Sequence, residues 1–249
     1  MKKILVIGES CLDVFVYCKA ERLAPDVPIP VLSIINQIEN PGMAKNTERN
    51  IKAIHTSCDI VTNSNWKDVI KTRYMHLGSN HAFVRVDTDH RMKRVNAKKI
   101  PFKKYDLIAI SDYNKGFLTE SDISFICKNH PIVFVDTKKP VGSWLKDAQY
   151  IKINDHEYRN SLPIAVSIED KIIRTHGEYG AEFKGKNYPV KKIETKDVSG
   201  AGDSFFAALV VCFAETNDII TAIQFANVCA SEVVAHRGVT VIKRPKIYK

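Results

Sequence analysis

The sequence predicts an α/β domain built on a mostly parallel sheet with helices on both faces. Three observations carry that expectation. Short, wholly apolar runs alternate with helical patterns along the chain, which is how strands buried on both faces read when crossover helices connect them. Polar residues gather where several of these runs end, including Asp112, Asp136 and Asn154. Three further segments are strand-like yet stand outside the alternation.

In chain order, Ile4 to Gly8 is the first apolar run and reads as a buried strand. Val14 to Tyr17 and Pro30 to Ile38 read as exposed strands, and Met43 to Ile54 as a helix. Thr72 to Leu77 and His81 to Asp87 form a candidate hairpin around Gly78-Ser79-Asn80, a turn-forming tripeptide. Leu107 to Ser111, Ile132 to Asp136, Tyr150 to Ile153 and Lys171 to Thr175 complete the buried strands. The remaining helices are expected over Glu120 to Lys128, Ala201 to Glu215 and Asp218 to Ala235. In such sheets ligands bind beyond the carboxyl ends of the strands.

The chain has 249 residues, enough for one sizeable domain, and a formal net charge of +9. That sign suits polyanionic ligands. Its basic residues are dispersed, with short clusters only at Lys98-Lys99, Lys103-Lys104 and Lys191-Lys192, and no zinc-finger spacing or aromatic RNA-binding signature accompanies them. Nucleic acid is therefore not the expected partner. Six cysteines, with no Cys-x-x-Cys pair, read as buried thiols in a reducing compartment. The basic and apolar N-terminus meets Glu9 and Asp13 too soon for a signal peptide or membrane span. A cytoplasmic protein with no membrane partner is expected.

The most specific segment is Asp197-Val198-Ser199-Gly200-Ala201-Gly202-Asp203, followed by the apolar stretch Ser204 to Val210. It reads as a glycine turn feeding a helix whose first N–H groups lack intrahelical partners and attract anions. A carboxylate there suits a base that takes a proton from an attacking hydroxyl, while the amides of Gly200, Ala201 and Gly202 hold charge on a transferring phosphoryl group. By contrast Gly180-Ala181-Glu182-Phe183-Lys184-Gly185-Lys186-Asn187 resembles a P-loop only superficially. Asn187 replaces the Mg²⁺-binding hydroxyl, and Tyr188-Pro189-Val190 cannot open a helix, so a β-turn between short strands is expected.

The 197–203 string resembles the second signature of the ribokinase-like (PfkB) carbohydrate kinases. Arg22 to Val31, Pro41 to Asn46, Ser111 to Gly116 and Asp136-Thr137-Lys138 narrow the likeness to the kinase half of bacterial heptose-phosphate kinase/adenylyltransferases. The resemblance implies a ribokinase-like fold over residues 1–249, with lid segments at about 14–38 and 71–88. It implies ATP-dependent phosphorylation of a sugar or sugar phosphate, foremost the anomeric hydroxyl of a heptose 7-phosphate, with Asp203 as base. Asn154, Lys138, Thr175, Gly177, Gly180 and Asn227 fall on its nucleotide side. Glu157 would act on Mg²⁺ through water, as that ion needs few carboxylates. Asp13, Arg22, Gly42, Asn46 and Lys115 fall on its sugar side. A monovalent cation is left open, and exposed lid edges suit a homodimer.

Several positions depart from the family pattern. A Gly-Gly-Ala-Ala-Asn turn appears as Gly42-Met43-Ala44-Lys45-Asn46, where Met43 restricts the backbone and Lys45 adds charge. The chain is shorter than the pattern between Thr62 and Lys71 and between Glu157 and Lys171, and no adenylyltransferase half is expected after Lys249. The alternatives are another sugar or nucleoside kinase of this fold, and a non-catalytic sensor of a sugar phosphate or nucleotide.

Overall fold

The computed structural model describes residues 1–79, 81–88, 92–191, 193–236 and 238–245. Its elements run in the order β1 (Ile4–Gly8), β2 (Ser10–Leu23), β3 (Pro30–Met43), α1 (Ala44–Ile54), β4 (Cys58–Val61), β5 (Ile70–His76) and β6 (Ala82–Asp87). There follow β7 (Leu107–Asp112), α2 (Glu120–Asn129), β8 (Val133–Thr137), β9 (Tyr150–Asn154), α3 (Asp155–Arg159), α4 (Val166–Glu169) and β10 (Ile172–Thr175). The chain closes with β11 (Ala181–Phe183), β12 (Lys186–Tyr188), α5 (Ala201–Thr216) and α6 (Ile219–Val234).

The main sheet has the order β12-β11-β10-β9-β8-β7-β1-β4, parallel from β10 to β4 with β11 and β12 antiparallel at one edge. Alternate residues feed opposite layers, as a strand's period of two requires. Ile4 and Val6 join Ile51 of α1 and the apolar residues of α5 and α6 in one core, whereas Leu5 and Ile7 join Ile123 and Ile126 of α2 in the other. Residues Asp203 through Ala214 of α5 are all buried, as expected of a helix that is apolar around its circumference. Gly8 permits the close approach of β1 to β7: a Cβ there would lie 1.8 Å from the Ser111 carbonyl oxygen.

A second sheet, β3-β2-β5-β6, contains the segments expected as lid strands. It differs from expectation in length and burial. β2 and β3 each run 14 residues, and Val14, Phe15 and Val16 are buried rather than exposed. Val14, Val16 and Cys18 pack with Leu32, Ile70, Tyr74 and Phe83. Outer residues such as Ile34, Ile35, Val84 and Val86 are exposed. A single residue, Glu9, separates β1 of the main sheet from β2. Asn80 of the expected hairpin turn, Lys192 of a basic cluster and Lys249 lie outside the described residues. The P-loop look-alike is a two-residue turn at Lys184 and Gly185, both with positive φ, between β11 and β12.

The expected buried strands and long helices occur where the apolar pattern places them, within one or two residues at each end. β4 is an addition: it pairs with β1 from Ile4↔Cys58 to Ile7↔Val61. All six cysteines are buried free thiols. Among the described residues no helix is long and apolar enough to cross a membrane.

Candidate active site

The carboxyl ends of β8, β9 and β10 and the start of α5 enclose a cavity of about 730 Å³. Its lining includes Lys138, Asn154, Thr175, Gly177, Gly180, Gly200, Ala201, Gly202, Asp203 and Asn227, each a residue singled out in the sequence. Asp203 is in the first turn of α5 and only 7% exposed. Gly200 caps that helix at φ 79°, and a Cβ on it would lie 2.9 Å from the Asn46 amide nitrogen. Glycine is thus needed for both backbone conformation and space.

Asp203 bridges the cavity and the start of α1. Its Oδ2 accepts from Asn46 Nδ2 at 2.9 Å, and its Oδ1 accepts from the Tyr113 hydroxyl at 2.5 Å. Burial raises its pKa above the usual aspartate range, and Asp136 adds to this; the bonds from Tyr113 and Asn46 and the charge of Lys152 act in the opposite direction. A carboxylate so placed is a stronger base than a solvated one. The N–H of Ala201 donates to Val198 O at 3.2 Å, whereas those of Gly200, Gly202 and Asp203 have no acceptor among the described residues.

Beneath it, Lys152 Nζ donates to Asp136 Oδ2 at 2.9 Å, and both side chains are buried. Asp136 Oδ1 is buried and, among the described residues, has no hydrogen-bond partner. Lys138 pairs with Glu157 Oε1. Burial alone would lower the lysine pKa, but Asp136 and Glu157 outweigh it and raise it, so Lys138 remains a cation.

Asn154 and Glu157 form a capping box at the start of α3: Asn154 Oδ1 accepts from Glu157 N at 2.9 Å, and Glu157 Oε2 accepts from Asn154 N at 2.8 Å. Both residues thus have a helix-capping role. Thr175, Gly177 and Gly180 line the cavity from the turn after β10; a Cβ on Gly180 would collide with Tyr188 O at 2.2 Å. Asn227 lines it too, while its amide donates to Tyr188 O at 2.7 Å.

On the other side of Asp203, Asp13 Oδ1 accepts from Arg73 at 2.6 Å. Gly42 lies against Asp13, where a Cβ would come within 2.2 Å of Oδ2. Met43 occupies φ 59°, ψ −133°, a conformation suited to glycine, and is buried. Lys45 is neutralised by Glu48 at 3.1 Å. A smaller cavity of about 270 Å³ is lined by Met43, Lys71, Asp87, Met92 and Lys115 among others. Burial pushes the Cys11 thiol up to about 12, leaving it neutral.

Arg22 is not part of this assembly. It is exposed near the outer end of β2, nine residues beyond Asp13, on the order of 30 Å of extended strand. The arginine that reaches Asp13 is Arg73. Of these two cavities, Lys115 borders the smaller. Pattern reasoning also passed over Tyr113, Lys152 and Arg73. Lys152 alone carried a signal, since lysine within the apolar run Tyr150 to Ile153 is rarely buried without a partner.

A doubly wound parallel sheet with a flanking β-sheet defines a ribokinase-like fold. The fold agrees with solved structures: ribokinase from Thermotoga maritima (TM-score 0.73, 16% identity, 96% of this chain and 95% of that one) and phosphofructokinase-2 from Escherichia coli (0.70, 13%, 98% and 96%). Residues 125–246 match the family model described as pfkB family carbohydrate kinase. Bifunctional protein HldE of Helicobacter pylori strain J99 is 28% identical over 96% of this chain and 64% of its own length; that of a Nitratiruptor species is 26% identical over 95% and 62%. The chain thus spans somewhat under two thirds of these relatives. Over residues 125–246 the chain is thus similar to the pfkB family carbohydrate kinases.

Proposed function

We propose that this chain is a single-domain, cytoplasmic kinase that transfers the γ-phosphoryl group of ATP to a sugar phosphate, with the anomeric hydroxyl of a heptose 7-phosphate as its foremost acceptor. The observation that carries this reading is the position of Asp203. It stands between the 730 Å³ cavity and the Asp13–Gly42 corner, tied to the latter side through Asn46. The nucleotide lies in the larger cavity, its phosphates toward Lys138 and the Gly202 and Asp203 amides. Asp203 takes the proton of the attacking hydroxyl, and the amides receive charge on the transferring group. Asp13, held by Arg73, accepts hydrogen bonds from the sugar.

The donor set fits Mg²⁺: Asp136 lines the cavity with its Oδ1 buried and, among the described residues, without a hydrogen-bond partner, and Glu157, paired with Lys138 of the lining, would act on the ion through water. The ion would screen phosphate charge there. Lys71 and Lys115, which pair with no carboxylate among the described residues, face the smaller cavity and suit the acceptor's own phosphate. The second sheet covers the sugar and excludes water, and its exposed outer strands form the contact of a homodimer.

The test is an acceptor panel with Mg-ATP, read by ADP release. Turnover on heptose 7-phosphate and not on ribose, fructose or adenosine is expected. The reverse order assigns another acceptor, and tight binding without transfer assigns a sensor. Asp203→Asn lowers turnover by about 10² to 10⁴ with ATP affinity retained; near wild-type turnover would remove the base assignment.

A further inference from the structure

We propose that Tyr113 is a positioning residue for Asp203, holding the carboxylate ionised and turned toward the acceptor hydroxyl. This rests on the reading of Asp203 as base. The Tyr113 hydroxyl donates to Oδ1 at 2.5 Å while Asn46 takes Oδ2, so two donors from elements far apart in the chain fix the plane of one carboxylate. Such a bond to a charged acceptor is of the strong kind. Burial holds the Tyr113 phenol well above its usual pKa, and Asp203 adds to this, so it is a donor throughout the working pH range.

The tyrosine is itself held. Lys71 Nζ lies 5.3 Å and Lys138 Nζ 5.6 Å from its ring centroid, one lysine lining the smaller cavity and the other the larger. The ring therefore stands between the two cavities. Its backbone is tied by Glu9, whose Oε2 accepts from Tyr113 N at 2.8 Å and whose Oε1 accepts from Lys115 N at 2.9 Å. Asn114, at φ 56°, makes the turn between those two amides. Glu9 is fully buried and sits at the junction of the two sheets. A loop so anchored delivers the phenol to a fixed point, which a residue filling space alone would not need.

The other groups facing Asp203 are Asp136 on β8, Lys152 on β9, Lys138 after β8 and Cys11 on β2. None changes in a Tyr113→Phe variant, so a shift in its pH profile reports the lost hydroxyl. That bond favours the charged carboxylate, and its removal raises the Asp203 pKa. The acid limb of kcat/KM for the sugar moves up by about one pH unit, and kcat falls about tenfold to a hundredfold, with KM for ATP unchanged. Replacement of Tyr113 by 3-fluorotyrosine, a more acidic donor of nearly the same shape, moves the acid limb the other way. This second variant tests the idea even where Tyr113→Phe folds poorly. Acid limbs superimposable on wild type in the variants, with Asp203→Asn inactive, overturn the positioning role alone. An active Asp203→Asn overturns the base reading beneath it.

Discussion

At the scale of single residues, the site is arranged around carboxylates whose partners leave them little freedom. Asp13 is clamped by Arg73 on one side and backed by Gly42 on the other. Gly42→Ala places a methyl 2.2 Å from Asp13 Oδ2 and 2.7 Å from Cys11 Sγ, and the clamped carboxylate can yield only by leaving its position. A misplacement of about 1 Å in a binding group costs up to about 10²-fold. Gly42→Ala is therefore expected to raise KM for the sugar at least about tenfold and leave KM for ATP unchanged. Steady-state kinetics with each substrate varied in turn decides it; an equal rise in both constants would mean a general distortion. The same scale shows why Tyr113 and Arg73 escaped motif reasoning. Their partners Asp203 and Asp13 lie 90 and 60 residues away, and nothing in a local window marks a side chain for a contact that folding alone creates.

At the scale of elements, α1 begins with a backbone shape its sequence does not favour. Met43 adopts φ 59°, ψ −133° directly before the helix, a strain of about 1–3 kcal/mol for a residue with a side chain, while its near-complete burial contributes about 1.5–3 kcal/mol. The two effects are of similar size. Met43→Gly relieves the strain as it removes the side chain, whereas Met43→Ala removes the side chain and keeps the strain. Thermal denaturation should rank Met43→Gly above Met43→Ala, the inverse of their order in a helix interior. The opposite ranking would show that the backbone relaxes at this turn. The core strands of the main sheet were legible because burial on both faces leaves an unbroken apolar run, as in Ile4 to Gly8. The outer part of β2, beyond Tyr17, was not, since residues such as Lys19 and Arg22 lack such a run and are ordered by pairing with β3. The Asp197 to Asp203 turn was legible because its glycines and carboxylate are local requirements. The distance of Arg22 from Asp13 was not legible, because order along a motif carries no information on which end of a long strand faces the site.

For the whole molecule, the +9 charge and the lysines lining the 730 Å³ cavity suit the polyphosphate ligand proposed above. A ligand at 100 times its Kd stabilises the folded state by about 2.7 kcal/mol, which for a chain of this size is about 5–10 °C in Tm. Titration with Mg-ATP in a thermal-shift assay is expected to show that rise. A Tm unchanged through millimolar Mg-ATP would remove the nucleotide from the cavity. The junction at Glu9 has a wider consequence. One peptide unit carries the chain from the main sheet into the flanking sheet, and the carboxylate on that unit grips the loop that delivers Tyr113. Any tilt of β2 about this joint turns Glu9, and with it the phenol at the base. With the roles proposed above, a sugar that tilts β2 would also turn the loop that holds Tyr113, and the acceptor would help to set the base that is to deprotonate it.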